Sequence, residues 1–121
     1  MLRQERLVFD VECYPNYFLA AFKSVVTGKF WFTEFQSGQA LQTEHLKWVL
    51  DNFCVITFYG NGYDIPITSI ALKGCSTQHL HACTQEMIEF ERPAYQVLQS
   101  NKVKRIRPNH IDLCEVAPSA C

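Results

Sequence analysis

The most constraining stretch of this sequence is Cys54-Val55-Ile56-Thr57-Phe58-Tyr59, which follows a segment of helical period and precedes the turn Gly60-Asn61-Gly62. A continuous apolar run of this kind is expected as a strand buried on both faces. Upstream of it, Leu46, Val49, Leu50 and Phe53 fall at i, i+3, i+4 and i+7, one face of a helix expected over Ala40 to Phe53. Three short β-rich runs come earlier still. These are Leu7–Glu12, Tyr17–Phe22 and Phe30–Phe35, joined by turns at Pro15-Asn16 and Thr27-Gly28-Lys29, and they predict an antiparallel meander.

Downstream, Asp64 to Leu72 predicts a helix with an acidic start, ended at Gly74. Ser76 or Thr77 is placed to cap a further helix through about Glu89. Pro93–Ser100 suits a short helix, and Ile111-Asp112-Leu113 a last strand. The order βββ, α, β, α, α, β is that of an α/β fold with a sheet of mixed direction. The 121 residues are read as one small domain, 48% apolar and 19% charged, a globular composition. The apolar runs are too short to span a bilayer, and no signal peptide is legible in the first residues. An intracellular, reduced setting is therefore expected, with the six cysteines read as small buried hydrophobes. Net charge is −1, so nucleic-acid contact would require a local patch.

Asp10 and Glu12 are the most informative pair. Residues i and i+2 of a strand share a face, and two like charges side by side in an apolar strand are costly unless a cation lies between them. Oxygen ligands of this kind suit Mg²⁺ or Mn²⁺. The alternative is an exposed sheet face carrying two acids. Asp64 lies at the first turn of its helix, where a carboxylate suits the helix dipole. It also leaves the end of a strand, where ligands of open α/β sheets bind, and would then face the same cleft as Asp10.

Phe9-Asp10-Val11-Glu12, with Tyr59-Gly60-Asn61-Gly62-Tyr63-Asp64 after the fourth strand, resembles the motifs of the DEDD-type, DnaQ-like 3′→5′ exonucleases. Asp10 to Leu19 and Ile111 to Val116 resemble phage-encoded members of that group. The resemblance implies a ribonuclease-H-like fold, two-metal hydrolysis at a DNA 3′ end with Mg²⁺ or Mn²⁺, and an intracellular setting in a phage or bacterial host. Asp10 would bridge both ions, Glu12 would hold the one that activates water, and Asp64 would help bind the other. The sequence departs from the family at three places. Cys13 stands where Thr is frequent. Asn61 precedes Asp64 by three residues rather than four or more. The final Asp, on a helix after the last strand with a His or Tyr just before it, is absent. The chain is thus expected to lack the last helix, to be C-terminally incomplete and to end at Cys121 with its active site unfinished. Such a chain would be weak or inactive. It would otherwise be a non-catalytic nucleic-acid or protein-binding module, or be completed in trans by a dimer mate or another chain.

Further nucleic-acid contacts are expected from the basic run Lys102, Lys104, Arg105 and Arg107, which otherwise reads as a solvated loop. Tyr14, Tyr17 and Tyr63 flank the acidic motifs and are candidates for stacking on unpaired bases, with core packing the alternative for Tyr17. Asn61, in the second motif, is a further candidate nucleic-acid contact. Cys75, His79, His81 and Cys83 have ligand chemistry for zinc, but on a helix His81 lies about 160–200° from His79 and Cys83, so the four do not share one ion.

Overall fold

A computed structural model describes residues 5–39, 43–117 and 119. Three strands form the meander: β1 (Arg6–Tyr14), β2 (Tyr17–Ser24) and β3 (Phe30–Gln36). Then follow α1 (Thr43–Asn52), β4 (Cys54–Thr57), α2 (Asp64–Ala71), α3 (Thr77–Ile88), α4 (Ala94–Ser100), β5 (His110–Asp112) and a single turn, α5 (Leu113–Val116). The five strands make one mixed sheet in the order β3-β2-β1-β4-β5. The β1–β2 and β2–β3 pairs are antiparallel; β4 lies parallel to both β1 and β5. The mixed α/β class read from the sequence is the class observed.

Period-two alternation sorts the strand residues between two unlike faces. Leu7, Phe9 and Val11 of β1 meet Ser24, Phe22 and Ala20 of β2 on the covered face. Phe9 and Phe22 stack there at 4.8 Å between ring centres. Leu46, Val49 and Leu50 of α1, Ile65, Ile67 and Ile70 of α2, Leu80 and Met87 of α3, and Val97 and Leu98 of α4 join the same core. Val8, Ala21, Phe30, Phe32 and Ile56 lie on the opposite face with Asp10, Glu12, Lys23 and Glu34. Among the described residues no helix covers that face, and Phe30 and Phe32 are more than half exposed.

The fourth strand therefore differs from the sequence expectation. Val55 and Thr57 are buried, Ile56 is half-buried, and Phe58 and Tyr59 are both exposed beyond the strand's end. Tyr59 leaves the strand at φ 63, in the left-handed region. The helices form where the sequence places them, with Ser76 as cap of α3 through its side chain to the His79 N–H. Residues 40–42, at the expected start of α1, and Cys121 lie outside the described residues. Cys54 and Cys83 are buried, and Cys13 and Cys75 half-buried, all as thiols.

Candidate active site

The site is built where two parallel strands part. The β1–β4 pairing runs from Arg6–Cys54 to Val8–Ile56 and stops. Val11, three residues further along β1, donates its N–H to Asp64 Oδ2 at 3.0 Å. This bond draws the start of α2 against β1, next to Asp10. Asp64 is only 5% exposed. Its pKa is pushed up to about 7: burial raises it most, the Val11 N–H opposes the rise, and the nearby charge of Asp10 adds to it. Asp10 is also raised, first by partial desolvation and then by the charge of Glu12.

Asp10 and Asp64 share a cleft of about 620 Å³. One wall is Phe58, Tyr59, Gly62 and Tyr63; the other is the α3–α4 turn, with Met87, Ile88, Glu91, Arg92, Pro93 and Ala94. Glu12 is on the open sheet face, in a second hollow of about 330 Å³ that also reaches Asp10. Asp10 thus stands between the two, with Glu12 on one side and Asp64 on the other. Among the described residues, no three His, Cys, Asp or Glu side chains converge closely enough to hold one ion. By chemistry the pair still fits a hard divalent cation: Asp64 is buried beside the charge of Asp10, and Asp10, exposed on the open face, lies beside the charge of Glu12, so a positive charge relieves both.

The loop that delivers Asp64 is held from β5. Asp112, 5% exposed, accepts Tyr59 N–H and Cys114 N–H at Oδ1 (3.0 and 2.9 Å) and Asn61 N–H at Oδ2 (3.0 Å). Gly60 donates its N–H to Thr57 Oγ1 at 3.0 Å, and the same oxygen lies 2.6 Å from His110 Nε2. The His110 imidazole is held below its ordinary pKa by burial. Sequence reading passed over Asp112 as a site residue. Its signal was position, at the end of the strand parallel to β4 and level with Thr57.

The expected nucleic-acid contacts divide. Lys102, Lys104 and Arg107 are exposed, while Val103 and Ile106 between them pack on the core. Arg105 turns back into the fold, donating to Asn61 O at 2.9 Å and Asn61 Oδ1 at 2.8 Å. Asn61 in turn donates to Glu115 Oε1 at 2.6 Å, so both of its side-chain polar atoms are engaged within the protein. Tyr14 is exposed, with its hydroxyl 3.4 Å from Glu12. Tyr63 lines the cleft but packs on the core, its hydroxyl 3.0 Å from Thr84 Oγ1 and its pKa raised by burial. Tyr17 donates to Glu34. The exposed aromatic side chains that line the cleft are Phe58 and Tyr59, which sequence reading assigned to a buried strand. His79 and Cys83 are neighbours, Nε2 to Sγ 3.6 Å, with Asn101 against both.

Comparison of the chain with protein-family models, with curated proteins and with solved structures finds no match. No helix among the described residues is long and apolar enough to cross a membrane.

Proposed function

We propose that this chain is a ribonuclease-H-like domain of the DEDD exonuclease type, acting on DNA 3′ ends with Mg²⁺ or Mn²⁺. The observation that carries the reading is the Val11–Asp64 hydrogen bond, which sets a buried carboxylate from the start of α2 beside Asp10 of the central strand. The sheet order supports it, with an antiparallel meander on one side of β1 and two parallel strands on the other. Ligands of open α/β sheets bind beyond the strand ends, and this cleft lies there. Asp10 and Asp64 supply carboxylate oxygens toward the cleft, while Glu12 stands beside Asp10 in the hollow of the open face. The chemistry a divalent ion brings to such a site is charge stabilisation at the attacking and leaving oxygens of a phosphodiester displacement. Lys102, Lys104 and Arg107 are the residues available to hold the nucleic-acid backbone.

A second reading, a non-catalytic nucleic-acid or protein-binding module of the same class, is favoured by one observation. No third ligand joins Asp10 and Asp64 among the described residues. One experiment separates the two: release of mononucleotides from 3′-labelled single-stranded DNA with Mn²⁺. Release by the parent chain that disappears in Asp10→Ala supports the exonuclease. Salt-dependent DNA binding with no release supports the binding module. Release that survives both Asp10→Ala and Glu12→Ala places the chemistry elsewhere. Restored release on mixing with a second chain would identify completion in trans.

A further inference from the structure

We propose that Asp112 is a positioning residue: by gripping the backbone of the 59–61 loop from β5, it sets where Asp64 stands against Val11 and Asp10. The inference rests on reading Asp10 and Asp64 as a ligand pair, but its geometry is independent of any metal.

The loop between β4 and α2 is held from within by Gly60 N–H to Thr57 Oγ1 (3.0 Å) and Gly62 N–H to Tyr59 O (3.1 Å), which leave the Tyr59 and Asn61 N–H groups to be bound from outside. Tyr59 sits at φ 63, uncommon for a bulky side chain. A Cβ at Gly60 would lie 2.0 Å from Thr57 Oγ1, so the turn is as tight as the chain allows. A strained conformation persists only when its surroundings over-determine it. Asp112 adds the outer part of that determination. Its two oxygens take the N–H groups on either side of Gly60, those of Tyr59 and Asn61, at 3.0 Å each. Charged acceptors make such bonds roughly twice as strong as neutral ones. Arg105 adds a second hold from the same side, on Asn61 O and Oδ1.

The grip reaches Asp64 through only a few bonds. Gly60 O accepts the Ile65 N–H at 2.9 Å, fixing the first turn of α2 to the gripped loop. Asp64, one residue earlier, then reaches Val11. A carboxylate on β5 thereby sets the separation of two carboxylates that belong to β1 and α2.

The test is Asp112→Asn, read by amide hydrogen exchange and by Mn²⁺ titration. Asn keeps one acceptor oxygen and turns an amide toward one of the N–H groups. Exchange at Tyr59, Asn61 and Val11 should speed up together, by roughly tenfold to a hundredfold, as expected when a hydrogen bond to a charged group is removed. Amides of the β2–β3 pairing should keep their wild-type rates. Mn²⁺ affinity should fall by about 10- to 100-fold, as for other residues that orient metal ligands. Faster exchange at Tyr59 and Asn61 with Val11 unchanged would overturn the proposal, because the loop would then be free to move without moving Asp64. Uniform acceleration at every amide would mean that the variant has lost the fold; the same readings on Arg105→Gln then decide the question, with a smaller effect of the same pattern expected. Absence of Mn²⁺ binding by the parent chain would sink the ligand-pair reading, and the Val11 exchange would still decide the positioning role.

Discussion

Asp64 accepts the backbone N–H of Val11 across 3.0 Å, in a buried position that ties the start of α2 to the strand carrying Asp10. The bond needs an oxygen, not a charge. Asp64→Asn retains an acceptor for Val11 while removing the carboxylate that burial and Asp10 both disfavour. Asp64→Asn is therefore expected to be more stable than the parent chain at pH 8 without divalent ions, by up to about 4 kcal/mol for a shift from 3.8 to about 7. On the proposed ligand-pair reading, Mn²⁺ should stabilise the parent chain and not this variant. Asp64→Ala should be less stable than Asp64→Asn at the same pH, because the Val11 N–H is left buried and unpaired. Thermal unfolding of the three proteins checks both differences. A lower melting temperature for Asp64→Asn at pH 8 would contradict the argument.

The same carboxylate gives stability a definite pH slope. Its folded pKa of about 7 lies above the ordinary 3.8, so in metal-free buffer the native state keeps a proton that the unfolded chain has released. The contribution is fully present below about pH 4, is lost as pH rises toward 7, and is flat above. Asp10, raised in the same direction, adds to the fall. His110, held low by burial, acts oppositely, losing stability as pH drops below its ordinary 6.5. Urea unfolding at several pH values, with the Asp64→Asn curve subtracted, isolates the Asp64 part. The difference should grow from pH 4 to pH 7 in favour of the variant. Divalent ions should stabilise the parent more at pH 8 than at pH 5, where they must displace a proton.

Gly60 and Gly62 flank Asn61 but are not equally required. A Cβ on Gly60 meets Thr57 Oγ1 at 2.0 Å, and that side chain is buried and bonded to both the Gly60 N–H and His110. A Cβ on Gly62 meets the outer edge of the Tyr59 ring at 2.3 Å, and that ring is exposed and can swing away. Gly60→Ala should cost roughly 1–3 kcal/mol or more, as overpacking does, and Gly62→Ala distinctly less. Equal losses in a denaturant titration would contradict the difference in surroundings.

How far the fold can be read from the sequence depends on how local the deciding forces are. The meander, the capped α3 and the mixed order followed from alternation and turn chemistry, which act over a few residues. Asp10 and Asp64 were legible because carboxylates in an apolar strand and at a strand's end violate local preference. The burial of β4 was misjudged, since an apolar run reports only that Ile56, Phe58 and Tyr59 tolerate burial, not whether a helix covers them. Arg105 and Asn61 read as ligand-facing because a charged or amide side chain carries no mark of its partner. Their bond to each other spans 44 positions, beyond the reach of any local pattern. Asp112 reads as a residue of the last strand and not of the site for the same reason: its three N–H donors belong partly to a loop distant in sequence.

That division within the basic run leads to the last prediction. Lys102, Lys104 and Arg107 are exposed, whereas Arg105 is engaged by Asn61. For single-stranded DNA, every phosphate that a variant no longer neutralises should flatten the plot of log affinity against log salt by about 0.7. Replacing Lys102, Lys104 and Arg107 with Gln should thus weaken DNA binding and reduce the salt slope by up to about 2, with the melting temperature unchanged. Arg105→Gln should do the reverse, lowering the melting temperature while leaving the slope nearly intact. Fluorescence anisotropy with labelled single-stranded DNA over a salt series, paired with thermal unfolding, reads both. A slope that moves with Arg105 and not with the other three would mean that Arg105 leaves Asn61 to meet the nucleic acid, and the loop beside Asp64 would then be remodelled on binding.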